Sequence, residues 1–360
     1  MIKVKIIGAG SIGNHHTQAS RAMGWDVTVT DADPKALERM RTEIYPKRYG
    51  AWDETIKLVE AGEQPRGGFD IIYIGTPPHV RMKVAIEAIK EEPKVLQLEK
   101  PAASPTLEGV KEFVAEMKKH PNTAVIVGFN HIVADNTNTV HKIIKENNLG
   151  KLLALESGVR SHWGNILKAH PWLKGPEDTY LGYWKKGGGA GGEHSHALNL
   201  WQHFSHELGF GRVIEVQGMF DYVKENGADY DRQCLLNLKT EKGLVGRVVQ
   251  DVLTDPKKKW VDLRFENGSV EWWNDVTKTT DEVIVNVRGK EQQKIVIEKT
   301  RTEEFLKEAQ HIADLLSGKI KISDSPIRFE RGMETSVVLA AAHESYAKRL
   351  TMKIDYSTFR

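Results

Sequence analysis

Three glycines near the N-terminus have the spacing of a dinucleotide-binding turn. They lie in the range Gly8–Gly13, which reads Gly-Ala-Gly-Ser-Ile-Gly after a short β-branched run. The first glycine suits a tight turn, the second lets the backbone approach a pyrophosphate, and the third allows close helix–strand packing. The phosphates would lie at the N-terminus of the following helix, where free N–H groups favour anions. A glycine-rich surface turn is the alternative interpretation.

Asp31 supports dinucleotide binding and indicates which dinucleotide binds. It follows the second predicted strand, 18 residues after Gly13, where a carboxylate would accept hydrogen bonds from the adenosine ribose hydroxyls. The same carboxylate would repel a 2′-phosphate, so we expect NAD rather than NADP. Arg39 and Arg41 lie on the next predicted helix, which is expected to point them away. The residues expected to bind this end of the cofactor are Gly8, Gly10, Ser11, Ile12, Gly13 and Asp31.

Further motifs follow two later strands of the same half. Gly75-Thr76-Pro77-Pro78-His79 comes after a predicted strand at 70–74, and Glu99-Lys100-Pro101 comes after one at 94–98. Open α/β sheets bind their ligands at these carboxyl ends. Asn130 and a glycine-rich segment over 187–196 complete the pattern. Together with the glycine turn, these motifs resemble the glucose–fructose oxidoreductase/inositol dehydrogenase (Gfo/Idh/MocA) family over essentially the whole chain, and Glu-Lys-Pro is the most specific of them.

The resemblance implies a Rossmann domain followed by a second α/β domain, whose open sheet commonly mediates dimer or tetramer contacts. It also implies oxidation or reduction of a hydroxyl on a sugar, cyclitol or related polyol with a nicotinamide cofactor. Thr76, Pro77 and His79 resemble the loop that packs along the nicotinamide ribose. Glu99 resembles the acid that hydrogen-bonds this ribose, and Lys100 resembles the family's active-site lysine.

Lys100, Glu193 and His196 are the candidate catalytic residues. Oxidation of a secondary alcohol needs a base for the hydroxyl proton while hydride leaves the carbon. An ammonium beside the same oxygen would stabilise the developing alkoxide charge. In the segment Gly-Gly-Gly-Ala-Gly-Gly-Glu-His-Ser-His, Glu193 and His196 occupy the family's acid and histidine positions. Many relatives have Asp and a four-residue gap instead, but either spacing puts the two side chains on one face of a helix.

The histidines after the glycines leave a metal site as an alternative. His196 and His203 would share a helical face, and imidazole and carboxylate are zinc ligands. His194 and His196 are two residues apart, however, so they point in different directions on a helix. We therefore favour His196 as the general base, with no metal. The histidines that the alternative would use are His194, His196, His203 and His206.

Aromatic and cationic residues are concentrated before the glycines. Aromatic faces suit the apolar side of a sugar ring, and the Arg160 guanidinium would bind a carboxylate or phosphate through two hydrogen bonds. The spacing of His170-Pro171-Trp172 from Tyr180 is similar to a family branch that acts on acylamino or nucleotide-linked sugars. Burial of the tryptophans in the core or an interface is the alternative. The residues expected to bind substrate are Lys100, Asn130, Arg160, His162, Trp163, Trp172, Tyr180, Glu193 and His196.

The elements that must position these residues follow two patterns. Up to residue 128, short β-branched runs alternate with amphipathic stretches, which predicts a parallel sheet covered by helices. From residue 129, strands predominate and indicate a largely antiparallel open sheet. We therefore predict an α/β protein, with an NAD-binding Rossmann domain over 1–128 and a substrate-binding and oligomerisation α/β domain over 129–360. Helices of the first domain are expected to begin near Ser11, Pro34, Asp53, His79 and Pro105.

Composition argues against several other classes of protein. The 51 Lys and Arg residues nearly balance 49 Asp and Glu residues, so nothing favours binding to nucleic acid or to an anionic membrane. A single cysteine forms no internal disulfide, and no apolar run approaches the ~18 residues that span a bilayer. The N-terminus alternates lysine with apolar residues, unlike a signal peptide. We expect a cytoplasmic homodimer or homotetramer that acts on a small-molecule sugar or polyol.

The residues fit one leading function and three alternatives, one of which is a metal-dependent enzyme that uses the histidines of the His194–His206 region. The leading function is an NAD-dependent oxidoreductase that transfers hydride to or from a secondary hydroxyl of a sugar, nucleotide-linked sugar or cyclitol, with a Lys/His acid–base pair. An isomerase or epimerase acting through a transient ketone would use the same residues. A catalytically inactive, NAD-sensing regulatory protein would keep the fold but would not need Lys100 and His196.

Overall fold

The first half of the chain forms a six-stranded parallel sheet. The computed structural model describes residues 1–168 and 170–359. The strands of this sheet are β1 (Lys3–Ile7), β2 (Asp26–Asp31), β3 (Lys57–Glu60), β4 (Ile71–Ile74), β5 (Val95–Leu98) and β6 (Ala124–Val127). Their order is β3-β2-β1-β4-β5-β6, and every neighbouring pair is parallel. The strand order reverses between β1 and β4, which places a ligand cleft at the carboxyl ends of these strands.

Helices connect these strands and confirm the Rossmann-type fold. Asp33 caps the second helix by accepting a hydrogen bond from the Lys35 N–H, and Pro34 takes the first helical position. The fifth helix begins at Val110 rather than near Pro105, because Gly109 precedes it in the left-handed conformation. The helices are α1 (Ser11–Ala22), α2 (Pro34–Arg39), α3 (Tyr45–Tyr49), α4 (Pro78–Ile89) and α5 (Val110–Met117).

The segment after Asp53 differs from the prediction, which placed the start of a helix there. The Asp53 carboxylate accepts hydrogen bonds from the N–H and the hydroxyl of Thr55, and so forms a turn. Residues 57–60 then pair with β2 as the edge strand β3, with Thr28 opposite Lys57. The prediction was wrong because this short strand lies at the sheet edge and is only half-buried, so its sequence carries little alternation.

The second half forms a nine-stranded sheet. Its strands are β7 (Leu152–Arg160), β8 (Val213–Glu225), β9 (Ala228–Thr240), β10 (Val245–Asp251), β11 (Lys258–Phe265), β12 (Gly268–Trp273), β13 (Thr280–Val287), β14 (Gln293–Glu298) and β15 (Met352–Lys353). Their order is β14-β13-β12-β11-β7-β10-β9-β8-β15. Strands β7 and β10 are parallel, and the other neighbouring pairs are antiparallel. The predicted largely antiparallel sheet is confirmed.

Helices of the second half cover one face of this sheet and also reach the first half. Helix α9 packs on β7, β10 and β11, whereas α10 packs on α1. Helix α11 contacts both β8 and β6, so the two sheets are held around a shared cleft. No helix among the described residues is long and apolar enough to cross a membrane. These helices are α6 (Asp135–Glu146), α7 (Trp163–Leu167), α8 (Gly189–Glu193), α9 (His196–Glu207), α10 (Arg301–Leu316) and α11 (Phe329–Lys348).

Candidate active site

The glycine turn between β1 and α1 has room for a pyrophosphate. Gly8 has a φ of 110°, which glycine adopts without the steric cost that other residues incur. A Cβ on Gly13 would lie 1.9 Å from the Gly8 carbonyl oxygen, so α1 packs directly on the turn. At Gly10 no heavy atom lies within 4 Å of the Cβ position, which leaves the backbone open to a ligand. The geometry therefore fits a dinucleotide whose phosphates lie at the start of α1.

Asp31 lies beside this turn at the end of β2. Its Oδ2 accepts a hydrogen bond from the Ala9 N–H at 2.7 Å, and its Oδ1 accepts one from the Asp33 N–H at 2.9 Å. Arg41 is directed away and pairs with Glu54, with 2.9 Å between Nη2 and Oε2. The carboxylate can still accept hydrogen bonds from ribose hydroxyls, because each of its oxygens has a second lone pair.

A cavity of about 2020 Å³ joins the glycine turn to the second half of the chain. It passes the carboxyl ends of β1, β2, β4 and β5 and continues to α8 and to the loop before it. This volume exceeds that of a typical small-molecule site and is large enough for a dinucleotide and a second ligand. The predicted site residues that line it are Gly8, Gly10, Ser11, Ile12, Asp31, Thr76, Pro77, Glu99, Lys100, Asn130, Trp172, Tyr180, Glu193 and His196.

Arg160, predicted to bind substrate, is not among the described residues that line this cavity. It ends β7, where successive side chains point to opposite faces of the sheet. Val159 and Ser161 line the cavity, whereas the Arg160 Nε lies 3.3 Å from the Asp251 carboxylate. Its guanidinium also stacks over Trp260, 5.6 Å from the ring centroid. The structure thus places this guanidinium away from the other candidate residues.

Four further predicted site residues lie outside the described cavity lining: Gly13, which packs on the glycine turn, and three side chains, those of Trp163, His162 and His79. The Trp163 ring is buried and packs edge-on against Tyr230, with 5.3 Å between ring centroids. His162 precedes α7 and accepts a hydrogen bond from the Gly164 N–H through Nδ1. His79 is exposed on the first turn of α4. Trp163 and His162 therefore contact Tyr230 and Gly164 rather than Lys100.

The Glu99 carboxylate at the end of β5 is held from behind by α1. His16 Nε2 lies 2.7 Å from Glu99 Oε1, and His16 Nδ1 lies 3.9 Å from the Glu308 carboxylate on α10. Burial alone would raise the pKa of Glu99, but the hydrogen bond and charge of His16 lower it below its usual range. Burial raises the pKa of Glu308 to about 7. Glu99 is therefore an ionised acceptor at the position expected for a ribose contact.

Arg81 fixes the two loops that follow β4 and β5. Its Nη1 donates to the carbonyl oxygens of Glu99, at 2.7 Å, and of Pro101, and its Nη2 donates to that of Thr76. Burial lowers the pKa of Arg81 to about 10, so the guanidinium stays charged at neutral pH. Sequence reasoning missed this residue. The available signal was a cation near the N-terminus of a helix, where the dipole disfavours it.

Lys100 and Glu193 meet across the cleft between the two halves. Lys100 Nζ donates to the Glu193 carbonyl oxygen at 2.8 Å and lies 3.4 Å from the Glu193 Oε2. Burial would raise the pKa of Glu193, but the charge of the Lys100 ammonium lowers it. The pair is therefore ionic. An ammonium has three N–H groups, so these contacts leave one for a substrate oxygen.

His196 also reaches the cavity, but not from the same helix as Glu193. Helix α8 ends at Glu193 and α9 begins at His196, with residues 194–195 between them. The prediction of one helical face was therefore wrong, since a helix that contains three glycines in five residues has little tendency to continue. The His196 ring packs against the His131 ring, with 4.3 Å between centroids. His131 lines the cavity too and was missed by sequence reasoning.

The loop before α8 contributes Trp172 and Tyr180 to the cavity lining. Trp172 stacks under Arg39 of α2, with 5.0 Å between the guanidinium and the ring centroid, so Arg39 points to this loop rather than away. Burial, followed by the charge of Glu193, raises the pKa of Tyr180. Burial also lowers the pKa of His170. Neutral hydrogen-bonding groups therefore line the cavity above the ion pair.

The glycines of α8 are required by a buried carboxyl beneath them. Gly189 has a φ of 73°, and a Cβ there would lie 1.9 Å from Asp231 Oδ1. Asp231 Oδ2 accepts a hydrogen bond from the Gly191 N–H at 2.7 Å, and Gln250 Nε2 donates to the Ala190 and Gly191 carbonyl oxygens. Burial raises the pKa of Asp231 to about 8. Both buried side chains thus fix the short helix that presents Glu193.

The histidines after the glycines have separate partners. His203 Nε2 lies 2.8 Å from His141 Nε2, and His206 Nε2 lies 2.6 Å from the Glu334 carboxylate. Within the part of the chain that the structure describes, three metal-ligating side chains come together elsewhere. That group consists of His16, Glu99 and Glu308.

Comparison with known proteins agrees with this geometry. Residues 2–129 match a family described as an oxidoreductase family with an NAD-binding Rossmann fold. A sequence search of curated proteins finds no match.

Solved structures share the fold over nearly the whole chain. Levoglucosan dehydrogenase in complex with NADH and L-sorbose is 16% identical, with a TM-score of 0.76 over 98% of this chain and 99% of that chain. The WlbA dehydrogenase from Bordetella pertussis in complex with NADH and UDP-GlcNAcA is 17% identical, with a TM-score of 0.71 over 98% and 99%. An oxidoreductase from Agrobacterium radiobacter in complex with NAD⁺, L-tartaric acid and magnesium is 16% identical, with a TM-score of 0.75 over 98% of both chains.

The Rossmann sheet, the glycine turn and the second α/β unit across one cavity define an NAD-binding oxidoreductase. The family model matches residues 2–129, so the N-terminal part of this chain is similar to the Gfo/Idh/MocA oxidoreductases. The predicted cofactor class is confirmed, and the predicted family resemblance is confirmed over residues 2–129.

Proposed function

We propose that this protein is an NAD-dependent dehydrogenase acting on a secondary hydroxyl of a sugar, nucleotide-linked sugar or cyclitol. The contact between Lys100 and Glu193 carries the proposal, because it holds an ammonium in the cavity that begins at the glycine turn. An ammonium beside a hydroxyl stabilises the negative charge that develops on oxygen as hydride leaves the carbon. An NAD sensor without turnover has no use for such a charge.

Each catalytic residue has a separate task in the proposed reaction. When bound, the cofactor supplies the hydride acceptor. His196 accepts the hydroxyl proton, and Lys100 donates a hydrogen bond to the same oxygen. Glu193 holds the Lys100 ammonium through its carbonyl oxygen and its carboxylate. Glu99 accepts hydrogen bonds from the nicotinamide ribose, since His16 keeps it ionised and oriented.

The substrate end of the cavity suits a hydroxylated ring. Trp172 and Tyr180 supply aromatic faces to the cavity lining, whereas Asn130 and His131 supply polar groups. Aromatic faces stack on the apolar side of sugar rings, and amides and imidazoles hydrogen-bond to hydroxyls. Levoglucosan dehydrogenase and WlbA, which share the fold, are crystallised with L-sorbose or UDP-GlcNAcA beside NADH. These neighbours support a carbohydrate substrate for this chain.

The test is reduction of NAD⁺ with a panel of levoglucosan, an inositol, a neutral hexose and a nucleotide-linked uronic sugar. We expect at least one member to raise the nicotinamide absorbance with the unmodified protein and not with Lys100→Ala. Conversion of a sugar without net NADH would instead identify an isomerase or epimerase. Measurable NADH binding with no turnover of any member would contradict the dehydrogenase and favour a regulatory protein.

A further inference from the structure

Lys259 contributes an ammonium to the part of the cavity that the second half of the chain forms. It lies on β11 opposite Val159 of β7, and both residues line the cavity. Side chains alternate between the two faces of a sheet, so the next pair along these strands, Trp260 and Gly158, belongs to the other face. The Lys259 side chain is only 17% exposed, and it belongs to none of the motifs that identified the site.

Two contacts fix the direction of this ammonium. The Lys259 Nζ lies 2.9 Å from Asp275 Oδ2 and donates to Oδ1 of the buried Asn274 at 3.1 Å. Asn274 is held in turn, because its Nδ2 donates to Asp281 Oδ1 at 3.1 Å. An ammonium has three N–H groups, so this geometry leaves one for a ligand in the cavity. The fixed position lowers the entropic cost of contacting that ligand.

The single charge of Asp275 is divided among three lysines. Its Oδ2 lies 2.9 Å from the Nζ atoms of both Lys257 and Lys259, and its Oδ1 lies 2.8 Å from that of Lys299. Burial would raise the pKa of Asp275, but the charge of Lys259, followed by those of Lys299 and Lys257, holds it well below its usual range. Asp275 is therefore ionised, and it compensates the charges of Lys257 and Lys259 only in part.

The other acids of this cluster pair with Lys299. Its Nζ lies 2.7 Å from Asp281 Oδ1 and also contacts the Glu304 carboxylate. The three lysines and Asp275 line the cavity, whereas Asp281 and Glu304 are not among the described lining residues. A ligand therefore meets more ammonium than carboxylate groups at this cluster, and such a surface attracts anions. Apart from Glu193, the other charged residues in the described lining of the second half balance one another: Lys168, Lys278, Asp178 and Asp255.

His194 relates this cluster to the candidate catalytic residues. It directly follows Glu193, whose carbonyl oxygen and carboxylate hold Lys100. Burial lowers the pKa of His194 to about 4, and the ammonium charges of Lys100 and Lys259 act in the same direction. Both ammonium groups are therefore close enough to act on the same buried ring. A single substrate can accordingly contact Lys100 and Lys259 together.

We propose that Lys259, supported by Lys257, binds an anionic group of the substrate, a carboxylate or a phosphate, and so makes the enzyme selective for acidic sugars. This inference rests on the proposed function and narrows its substrate class. Arg160, which the sequence predicted to bind such a group, is turned to the other face of the sheet, and Lys259 supplies a cation on the cavity face instead. Hydrogen bonds between charged groups are stronger than neutral ones, so an acidic sugar gains more here than a neutral sugar.

The test measures binding of four probes to the complex with NADH by isothermal titration calorimetry, so that no turnover is needed. The probes are D-glucose, D-glucuronate, D-glucose 6-phosphate and UDP-glucose. We expect at least one anionic probe to bind roughly 10- to 100-fold more tightly than D-glucose. A preference for D-glucuronate would identify a carboxylate, whereas a preference for the phosphorylated probes would identify a phosphate.

Matched variants assign this preference to one side chain. Lys259→Gln should remove it, and the variant should fold because Asp275 keeps Lys257 and Lys299, which circular dichroism checks. Lys258→Gln makes the same charge change on the neighbouring residue, which is outside the described cavity lining, and should keep the preference. If Lys259→Gln does not fold, Lys257→Gln should weaken binding of the anionic probe by about two- to fivefold.

Three results would overturn the proposal. The first is equal affinity for D-glucose and the anionic probes, or no measurable binding of any anionic probe. The second is an equal loss in Lys259→Gln and Lys258→Gln, which would show a general effect of charge, and the third is a preference that survives in Lys259→Gln. Anion binding that depends on Lys259 but comes with no turnover would support this proposal and contradict the dehydrogenase. Turnover of a neutral sugar with no preference for anions would have the opposite meaning.

Discussion

At the residue scale, we propose that the Asp31 carboxylate determines the preference for NAD over NADP. The structure places it beside the glycine turn, where its charge would lie close to the adenosine ribose of a bound dinucleotide. We predict tighter binding of NADH than of NADPH, and Asp31→Ala should narrow the difference because it removes repulsion of the 2′-phosphate. Parallel titrations of both cofactors measure the effect. Tighter binding of NADPH by the unmodified protein would show that this role of Asp31 is wrong.

The candidate catalytic residues are the subject of a second prediction at the residue scale. His196→Ala should lower kcat by about 10²–10⁴-fold, the usual contribution of a positioned general base, with NADH affinity nearly unchanged. Lys100→Ala should lower kcat at least as much, because it removes a positive charge from the reacting oxygen. Glu193→Gln should cost about tenfold, since its backbone carbonyl still accepts from Lys100 Nζ.

A histidine remote from the cavity provides the control for these variants. His120 lies after α5 and pairs with Glu116, so His120→Ala should keep wild-type kcat.

A different set of results would support the alternative that the enzyme depends on a metal ion. Loss of activity on treatment with a chelator and in His203→Ala, with turnover retained in His196→Ala, would replace hydride transfer by a metal-dependent reaction.

At the scale of one element, helix α8 shows how a buried side chain supports a candidate site residue. Asp231 lies beneath it with a pKa that burial raises from 3.8 to about 8. A carboxyl whose pKa is raised in the folded state contributes stability below its unfolded pKa, and that stability is lost as pH rises through the folded pKa. The protonated carboxyl therefore stabilises the turn that presents Glu193, and this stabilisation disappears between about pH 4 and pH 8.

Asp231→Asn should flatten this pH dependence, because an amide keeps the neutral shape and cannot ionise. We expect the unmodified protein to lose more of its free energy of unfolding than the variant between pH 6 and pH 9, as urea titrations at each pH would measure. Equal slopes for the two proteins would show that Asp231 is ionised throughout. Asp221, which is partly exposed and paired with Arg232, offers Asp221→Asn as a matched control.

At the scale of the whole molecule, we expect subunits to contact each other through the face of the nine-stranded sheet opposite its helices. On this face, residues that lie opposite one another on neighbouring strands form a continuous row, and each of them is small or apolar. The Trp260 ring lies over the glycine of this row, where a Cβ would come within 2.1 Å of it. Helices pack on the other face, so this row is available for a second subunit. The row consists of Met219, Leu235, Val249, Gly158, Trp260 and Trp273.

We predict that this face forms the contact between subunits of a homodimer or homotetramer. The chain has a mass of 40.6 kDa, so light scattering at micromolar concentration should give at least twice that value. Met219 is 66% exposed, and Met219→Asp should shift the protein toward monomer because it buries a charge in the interface. Ile322→Asp changes an exposed apolar residue elsewhere and should not. A monodisperse monomer of the unmodified protein would refute the prediction.

Local patterns in the sequence determined the elements and the chemistry of single positions. The spacing of the three glycines predicted the turn, because tight turns and close approaches need residues without a Cβ. Alternating apolar residues predicted β1 and most other strands of both sheets. Lys100, Glu193 and His196 were identified by type and by resemblance, and all three line one cavity. The edge strand β3 escaped prediction, since only its pairing with β2 makes it a strand.

Only the tertiary structure decided which side chains meet. Lys100 and Glu193 are 93 residues apart, and their contact depends on α8 being held by Asp231 across from β5. Arg160 has the right chemistry for an anion, but its position on β7 turns it to the opposite face from its neighbours in sequence. The number of residues between two positions does not predict such contacts, because packing between the two halves of the chain determines where each side chain points. The sequence therefore shows which residue types are present at each position, whereas only the fold shows which side chains contact one another.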